Sequence, residues 1–475
     1  MLLKHWRNFS WAYYLSLGFI FILLMFSLLF YKERMLFVDP AWIVFNIINK
    51  GKLIIAENRY GAFITQIFPY FGSKLGLSLK SILILYSASF YLFYFFTAYI
   101  IGLKWKQEVF AILLALYLGV FVSDVFYWPN NEVHQGIAWM FLFLAYYQFK
   151  RGQKKPFYFY PLLLSFLFFA ISSHLIVAIP ILFLWIYLHI QNGIIHNLKN
   201  KKFLIITILL LISIFIRYKL SDSGWYDPVK LEGVKNISLQ TILNSLQSGQ
   251  ANSFGKLILT HHWLAIPIFF FSICISLINR NYYNSLLLFL FTIAYFILIC
   301  LTFPDAFDRT LRFYIESEWM ALAIIISTPL AFWIINANKK SIILLFIFCI
   351  NLAYILNSYS FFHTRYSLLA KTVDKIEANS ISKAVVIKDK KESEKYFIMD
   401  WGLPVESMFY SIISNKKELV TLKIIHEELE IENAKDIFFS SFDIQSINQL
   451  NKDYFPLNKD NSYQIVENCF ILERK

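Results

Sequence analysis

The six residues Phe37 to Trp42, FVDPAW, decide how this chain is organised, because they come just after an apolar run at 12–31. A run of that length is sufficient to cross a bilayer. Asp39 therefore stands a short distance beyond the end of the first membrane span. An ionisable residue near a span end is costly unless it lines a wet cavity or pairs with another group. The stretch thus predicts a membrane protein with a polar site near one membrane surface.

The composition supports a membrane protein and excludes several other classes. Of the 475 residues, 58% are hydrophobic and only 16% are charged, unlike an ordinary soluble domain. The net charge is +13, but the basic residues are spread over short loops, so no nucleic-acid partner is indicated. The cysteines predict neither a zinc site nor a disulfide framework, because they lie far apart, at Cys274, Cys300, Cys349 and Cys469.

Apolar stretches of about bilayer-crossing length recur over residues 1–363. They predict an all-α polytopic membrane domain with about eleven transmembrane helices, at 12–31, 79–102, 108–126, 135–149, 157–172, 174–190, 203–218, 263–279, 284–302, 318–336 and 341–358. Lys and Arg accumulate in cytoplasmic loops, and here one side collects Lys104, Lys106, Lys150, Arg151 and Arg280. The amino terminus is therefore expected in the cytoplasm. An odd number of spans then places the carboxy-terminal part on the periplasmic, external face of an inner (plasma) membrane.

Residues 364–475 are predicted to form a small external α/β domain. Charged residues return there, and short apolar strings such as AVVIKD (384–389) and YFIMDW (396–401) alternate with helix-like stretches such as VESMFYSII (405–413). Such alternation is typical of strands and helices in turn.

The first loop, 32–78, is expected to contain helices that lie along the membrane. After FVDPAW, the run AWIVFNIINK places Asn46, Asn49 and Lys50 on one helical face, which is the pattern of an interfacial amphipathic helix. A purely structural interpretation of Asp39 is equally open. Asp at the N-cap followed by Pro at the first helical position is a common helix start.

Further ionisable residues lie at span ends on the same predicted side as Asp39. Their convergence on one face is what a site there would need, and the candidates are Arg59, Glu132, His134, His174, His261, His262, Asp305, Asp308, Arg309, Arg312 and Glu316. Arg309 and Arg312 are three residues apart, so both guanidinium groups can share one helical face and bind phosphate. The two arginines can instead pair with their acidic neighbours.

The other candidates also have structural interpretations. Glu132 and His134 are compatible with the simple end of a span in the headgroup region. His174 is compatible with a helix cap or a core hydrogen bond. His261 and His262, beside Trp263, are typical of the aromatic belt at a membrane surface.

The layout resembles the GT-C superfamily of integral-membrane glycosyltransferases, whose members include protein mannosyltransferases and the lipid A aminoarabinose transferase. The resemblance covers the whole chain as architecture. As motif, it rests on Asp39 in FVDPAW and on Arg59 in NRYGAFITQIFP, residues 58–69. Many relatives have two adjacent acidic residues in the first loop, whereas Pro40 follows Asp39 here. A hard divalent ion requires several oxygen ligands, so we expect no metal and no other cofactor.

The resemblance implies transfer of one hexosyl or pentosyl group from a polyprenyl-phosphate donor to a lipid, glycan or protein acceptor. Asp39 would be the general base, and Arg59 with Arg309 or Arg312 would hold the donor phosphate. Glu132, His134, His174, His261 and His262 would be substrate-binding candidates. A direct displacement would invert the anomeric centre, since retention requires a second carboxylate as nucleophile.

Three other classes compete with this interpretation. A flippase or transporter for lipid-linked glycans would place polar residues at the bilayer midplane, whereas most spans here have Leu, Ile and Phe in the middle. A polysaccharide polymerase or ligase usually has one large late external loop, and the 220–262 loop is poor in charge. A non-catalytic scaffold would not explain the charged residues at span ends.

Overall fold

The computed structural model describes residues 10–129, 132–150, 157–191, 200–221, 227–303, 311–336, 338–426 and 435–466. The first part of the chain contains helices α1 Trp11–Leu29, α2 Tyr31–Met35, α3 Val38–Lys50, α4 Phe63–Lys74, α5 Leu79–Tyr99, α6 Glu108–Val120, α7 Glu132–Phe149, α8 Phe159–Ser173 and α9 Ala178–Gln191. The second part contains α10 Lys201–Ser221, α11 Asp227–Lys235, α12 Leu239–Ser245, α13 Gly249–Thr260, α14 Ala265–Ile278, α15 Tyr282–Thr302, α16 Arg312–Trp319, α17 Leu322–Ile334 and α18 Ile342–Ala378.

Serine side chains begin several of these helices. Ser10 accepts a hydrogen bond from the N–H of Tyr13 at the start of α1, and Ser78 accepts one from the N–H of Ser81 at the start of α5. These bonds satisfy backbone donors that have no partner inside the helix. Helix α3 ends at Gly51, whose φ of +60° is a left-handed conformation that glycine adopts without strain.

Among the described residues, five helical segments are long and apolar enough to cross a membrane, and the number rises to seven if each of two bent helix pairs is one span. The five are Trp11–Leu29, Leu79–Lys104, Lys201–Ser221, Tyr282–Thr302 and Asn338–Ala378. The bent pairs are α13 with α14, at 87°, and α16 with α17, at 54°. The mostly helical fold with apolar helices of membrane-spanning length is thus confirmed, but the predicted number of eleven spans is not.

The remaining predicted spans fall on shorter helices, of which α6 is the most informative. Every residue of α6 from Val109 to Val120 is buried, and the helix packs against α1, α17 and α18. At 1.5 Å per residue, a helix of 13 residues extends only about 20 Å. An apolar run in the middle of a bundle therefore looks like a span whether or not it crosses the membrane.

The carboxy-terminal segment forms a small α/β unit, which we call the tail domain. Its elements are β1 Lys383–Ile387, α19 Lys390–Ser393, α20 Leu403–Ile413, β2 Thr421–Ile425, β3 Ile437–Phe439, β4 Ile444–Ser446 and β5 Gln464–Ile465. Strand β1 pairs in parallel with β2 and β5, and β3 with β4 forms an antiparallel hairpin. The prediction of a small sheet region near the carboxy terminus is confirmed.

Two details of the tail differ from the sequence prediction. The boundary expected between residues 363 and 364 lies inside α18, which continues without a break to Ala378. The string YFIMDW forms no strand but a turn followed by a short 3-10 helix at Asp400–Gly402. Met399 adopts a φ of +57°, which interrupts an extended chain.

Helix α3 packs against the tail domain, and its expected position along the membrane surface stays a prediction. The ring of Phe45 packs 5.6 Å from that of Phe438 and 5.2 Å from that of Phe455. The side chain of Asn49 accepts a hydrogen bond of 2.8 Å from the N–H of Asn451. The tail domain therefore holds the helix that carries Asp39.

Candidate active site

A cavity of about 560 Å³, which we call the central cavity, lies between α3, α7, α11, α16 and the tail domain. Carboxylates and cations from separate segments of the chain line it, namely Asp39, Glu57, Arg59, Glu132, Lys230 and Glu318. Its other lining residues include His174 and the aromatic side chains of Trp42, Trp128, Phe303, Tyr314, Trp401 and Phe442. A concave site with aromatic walls and a few convergent polar groups is typical of a small-molecule binding site.

Asp39 lies on the wall of this cavity and does not cap its helix. Helix α3 begins at Val38, its N-cap residue is Phe37, and that residue makes no side-chain cap hydrogen bond. The Asp39 carboxylate instead accepts a hydrogen bond of 2.8 Å from the indole Nε1 of Trp128. The interpretation of Asp39 as an N-cap is therefore wrong, and its carboxylate is oriented by an aromatic donor from another segment.

The surroundings make Asp39 a stronger base than an ordinary aspartate. Burial, the largest effect, raises the pKa of Asp39, and the nearby Glu132 charge raises it further. The hydrogen bond from Trp128 and the Arg59 charge lower it. The net result is a pKa of about 6 instead of 3.8. With a pKa of about 6, the group is about nine-tenths ionised at pH 7. General bases work best when their pKa lies near the working pH, so Asp39 is suited to accept a proton.

The residue before Asp39 has a strained backbone that the tail domain stabilises. Val38 has a φ of +34°, which is unfavourable for a β-branched residue. Its N–H donates a hydrogen bond of 2.6 Å to Glu406 Oε1. Arg365 binds the same carboxylate through both Nη atoms, at 2.8 Å and 3.1 Å. A Cβ atom on Gly402 would lie 2.9 Å from the Val38 Cα, so only glycine permits this close approach.

Arg59 is held in an ion-pair network at one side of the cavity. Its Nη1 lies 2.9 Å from Glu132 Oε2, and its Nη2 lies 2.9 Å from Asp227 Oδ1. The other oxygen of Asp227 lies 3.1 Å from Arg217. Two guanidinium groups and two carboxylates thus alternate in one buried row. Arg59 does line the cavity as expected, and Glu132 is its partner rather than the simple end of a span.

His174 connects the central cavity to an adjoining groove. It follows the last residue of α8, and its Nδ1 accepts a hydrogen bond of 3.2 Å from the N–H of Ile176. Burial lowers its pKa well below the usual value, and the charges of Arg59, Lys230 and Arg217 lower it further. The ring is therefore neutral at pH 7. Because Nδ1 is an acceptor, Nε2 carries the proton and can donate to a ligand.

The groove beside the central cavity has a volume of about 100 Å³ and is mainly apolar. It shares His174, Ile176, Lys230 and Phe303 with the central cavity. Its remaining lining comes mostly from α10, α11 and α15, with Leu175, Tyr218, Ser221, Asp227, Leu231, Val234, Leu298 and Thr302. A charged cavity thus continues into an apolar groove, and Lys230 stands at the junction.

The structure does not bring three of the other candidates to the lining of the central cavity. His134 is buried in the bundle, where its Nδ1 lies 2.8 Å from the hydroxyl of Tyr117. His261 contacts the Thr260 hydroxyl at 2.9 Å. His262 is buried, and its Nε2 lies 3.0 Å from Glu316.

Glu316 and Arg312 belong to a second polar cluster. Glu316 accepts hydrogen bonds from the N–H groups of Ser123 and Val125, at 3.0 Å and 2.8 Å. Arg312 lies 3.3 Å from Asp124, an acidic residue far away in sequence. Arg309, with Asp305 and Asp308, lies outside the described residues. The phosphate-binding roles predicted for Arg309 and Arg312 remain predictions.

Sequence reasoning missed several residues of the central cavity. Lys230 and Glu57 lie in segments that have no pattern of their own, and Glu318 looks like an ordinary charge at the start of a span. Trp128 follows Tyr127 in the sequence YWPNN, and a tryptophan at a span end is common at any membrane interface. The approach of its indole to Asp39 depends on a contact between residues 89 positions apart.

No family model, curated protein or solved structure matches this chain. Within the described ranges, no group of three or more His, Cys, Asp or Glu side chains is arranged to hold a metal ion. The functional argument therefore depends on the geometry of the central cavity and its groove.

Proposed function

We propose that this chain is a GT-C-type glycosyltransferase that moves one sugar from a polyprenyl-phosphate donor to a lipid, glycan or protein acceptor. We place it in the inner (plasma) membrane with eleven spans, the amino terminus in the cytoplasm and the tail domain outside. The observation that carries the proposal is that the central cavity meets the apolar groove. A cavity with a tuned carboxylate opens into an apolar groove beside Lys230.

The chemistry requires a base, and Asp39 can provide it. An acceptor hydroxyl attacks the anomeric carbon of the donor, and its proton passes to the Asp39 carboxylate. The new bond joins the acceptor oxygen to the anomeric carbon, while the bond from that carbon to the phosphate oxygen breaks. The electron pair leaves with the polyprenyl phosphate. One such displacement inverts the anomeric centre, and a positioned base typically contributes about 10²- to 10⁴-fold in rate.

The groove and its cations are suited to the donor. An isoprenoid chain is apolar and matches the lining of Leu231, Val234 and Leu298. Its phosphate would then lie near Lys230, where a fixed positive charge stabilises the leaving group. Arg59 adds a second cation to the wall, although its two carboxylate partners offset its charge. We place the phosphate on Lys230 because it lies where the cavity meets the groove.

Transfer is tested by following the donor bond directly. Purified protein in lipid nanodiscs is incubated with polyprenyl phosphate that carries a radiolabelled sugar, together with a membrane extract as the source of acceptor. We expect release of free polyprenyl phosphate, and an NMR spectrum of the product that shows the opposite anomer. Protein-dependent movement of an intact donor across a vesicle membrane, without bond cleavage, would instead identify a flippase.

A further inference from the structure

A second cavity, of about 490 Å³, lies within the tail domain at the edge of the sheet where β2 ends. We call it the tail cavity. One side is formed by His426, the residue directly after β2, and the other by residues 440–443, which form the tip of the β3–β4 hairpin. In sheets with parallel strands, ligands bind outside the carboxyl ends of the strands. The tail cavity has that position.

Two buried hydroxyl groups line the tail cavity without a partner of their own. Ser440 is 2% exposed and Ser441 is 4% exposed. Within the described part of the chain, neither hydroxyl oxygen makes a hydrogen bond. Buried polar groups are normally paired, and an unpaired hydroxyl is costly. Two adjacent ones on the wall of one cavity indicate a ligand that forms the missing hydrogen bonds.

The acidic and basic groups of the tail cavity nearly balance. The His426 Nδ1 lies 3.0 Å from the carbonyl of Lys388, and its Nε2 lies 3.3 Å from Asp400 Oδ2. Lys423 donates to the carbonyls of Ser440 and Ser441, at 3.3 Å and 3.4 Å, and so supports the hairpin tip. Asp443 adds a second carboxylate. There is no excess of positive charge, so the lining favours a neutral ligand over a phosphate.

An aromatic wall separates the tail cavity from the central cavity. Trp401 and Phe442 line both spaces, and their rings stack with centroids 4.7 Å apart. The ring of Phe442 also lies 5.8 Å from that of Trp42, in the helix that carries Asp39. Phe442 is 67% exposed, so its ring face is accessible. Exposed aromatic faces beside carboxylates and hydroxyls offer both kinds of contact that a sugar makes, one with its C–H face and one with its hydroxyls.

We propose that the tail cavity binds the acceptor as a neutral, hydroxyl-rich saccharide, which crosses the Trp401–Phe442 wall so that its reacting hydroxyl meets Asp39. Ser440, Ser441 and Asp400 would hydrogen-bond the sugar hydroxyls, and Phe442 would stack on the ring. This inference rests on the proposed transfer reaction, because it assigns the acceptor side of the same site. Binding of the saccharide alone is a separate property that does not require transfer.

The test measures binding without catalysis. Full-length protein in nanodiscs is titrated with fluorescently labelled neutral oligosaccharides of two to four hexose units, released from the envelope glycans of the host cell. The variants are Phe442→Ala, the double variant Ser440→Ala/Ser441→Ala, and Ile465→Ala as a control. Ile465 is 59% exposed and lies on β5, so its truncation matches that of Phe442.

We expect the Phe442 and the double-serine variants to weaken binding at least 10-fold, while Ile465→Ala binds normally. Phe442→Ala keeps the test valid if the buried serine changes disturb folding, because it alters an exposed side chain. Unchanged binding in Phe442→Ala would overturn the proposal, as would competition by inorganic phosphate. If saccharide binding follows this pattern but the wild-type protein transfers no sugar, the proposed transfer reaction is wrong. The proposed saccharide site in the tail cavity is then still supported.

Discussion

The Glu406 carboxylate accepts a hydrogen bond of 2.6 Å from the N–H of Val38, and so joins the tail domain to the residue before Asp39. Arg365, from the long helix α18, fixes the same carboxylate from the other side. Three segments that are far apart in sequence thus determine where the Asp39 helix begins. The strained φ of Val38 persists because this hydrogen bond and its surroundings hold the backbone in that conformation.

Replacing Glu406 by Gln should therefore destabilise the protein and misplace Asp39. Arg365 would keep a buried charge without its ionic partner, which costs about 3–5 kcal/mol. We expect that loss in the free energy of unfolding, and a fall in kcat at temperatures where the variant is still folded. Glu394→Gln is the control, because Glu394 forms an exposed pair with Lys390, and surface changes stay within about 0.5 kcal/mol. Equal stability of the two variants would contradict this role of Glu406.

The rate of transfer should depend on pH through Asp39. The carboxylate accepts a proton only when it is ionised, so activity should fall as the pH drops through about 6 and level off above it. Trp128→Phe removes a hydrogen bond that favours the ionised form and should move this acid limb to higher pH. Trp263→Phe removes an indole that bonds to Tyr354 and serves as the control. A pH profile that is identical in wild type and Trp128→Phe would refute the assignment.

Arg59 and Glu132 should be energetically coupled. Arg59→Lys cannot bridge Glu132 and Asp227 at once, because a single ammonium group lacks the fork geometry of a guanidinium. A double-mutant cycle of Arg59→Lys with Glu132→Gln should give an interaction energy of about 0.5–3 kcal/mol in unfolding. The same cycle with Glu394→Gln should be additive. Additivity in both cycles would show that the ion pair contributes nothing.

Lys230 should affect the donor and not the acceptor. Lys230→Met removes the cation at the junction of cavity and groove, so the KM for the polyprenyl-phosphate donor should rise about 10- to 100-fold, equal to about 1.4–2.8 kcal/mol of binding. The KM for the acceptor should not change. Lys235→Met is a matched control, because Lys235 is an exposed lysine on the same helix. A rise in the KM for the acceptor alone would contradict the placement of the donor phosphate at Lys230.

Much of the fold follows from the sequence, because long apolar runs have few alternatives. The apolar runs of α1, α10, α15 and α18 were all predicted as membrane helices. VESMFYSII lies within α20, as predicted. The number of spans does not follow. The bend of 87° between α13 and α14 and the complete burial of α6 depend on packing against other helices. Neither feature leaves a periodic signal in a uniformly apolar run.

Some residues of the site were predictable from the sequence, but their pairings were not. Asp39, Arg59, Glu132 and His174 were singled out by sequence, and all four line the central cavity. Arg312 and His262 looked equivalent to them by position, yet they pair with Asp124 and Glu316. Arg312 and Asp124 lie almost 200 positions apart along the chain, and His262 and Glu316 lie 54 positions apart. A single sequence contains no information about such contacts, and for the same reason it gave no sign of Lys230.

The most direct test of the account is sugar transfer by Asp39→Asn compared with wild type, at equal amounts of folded protein in nanodiscs. Asparagine has nearly the same shape, and its side-chain oxygen can still accept the hydrogen bond from Trp128, but it cannot take a proton. We predict a fall in kcat of at least 100-fold, in line with loss of a general base, with little change in unfolding temperature. Transfer within a few-fold of wild type would contradict the role of Asp39 and the mechanism with it.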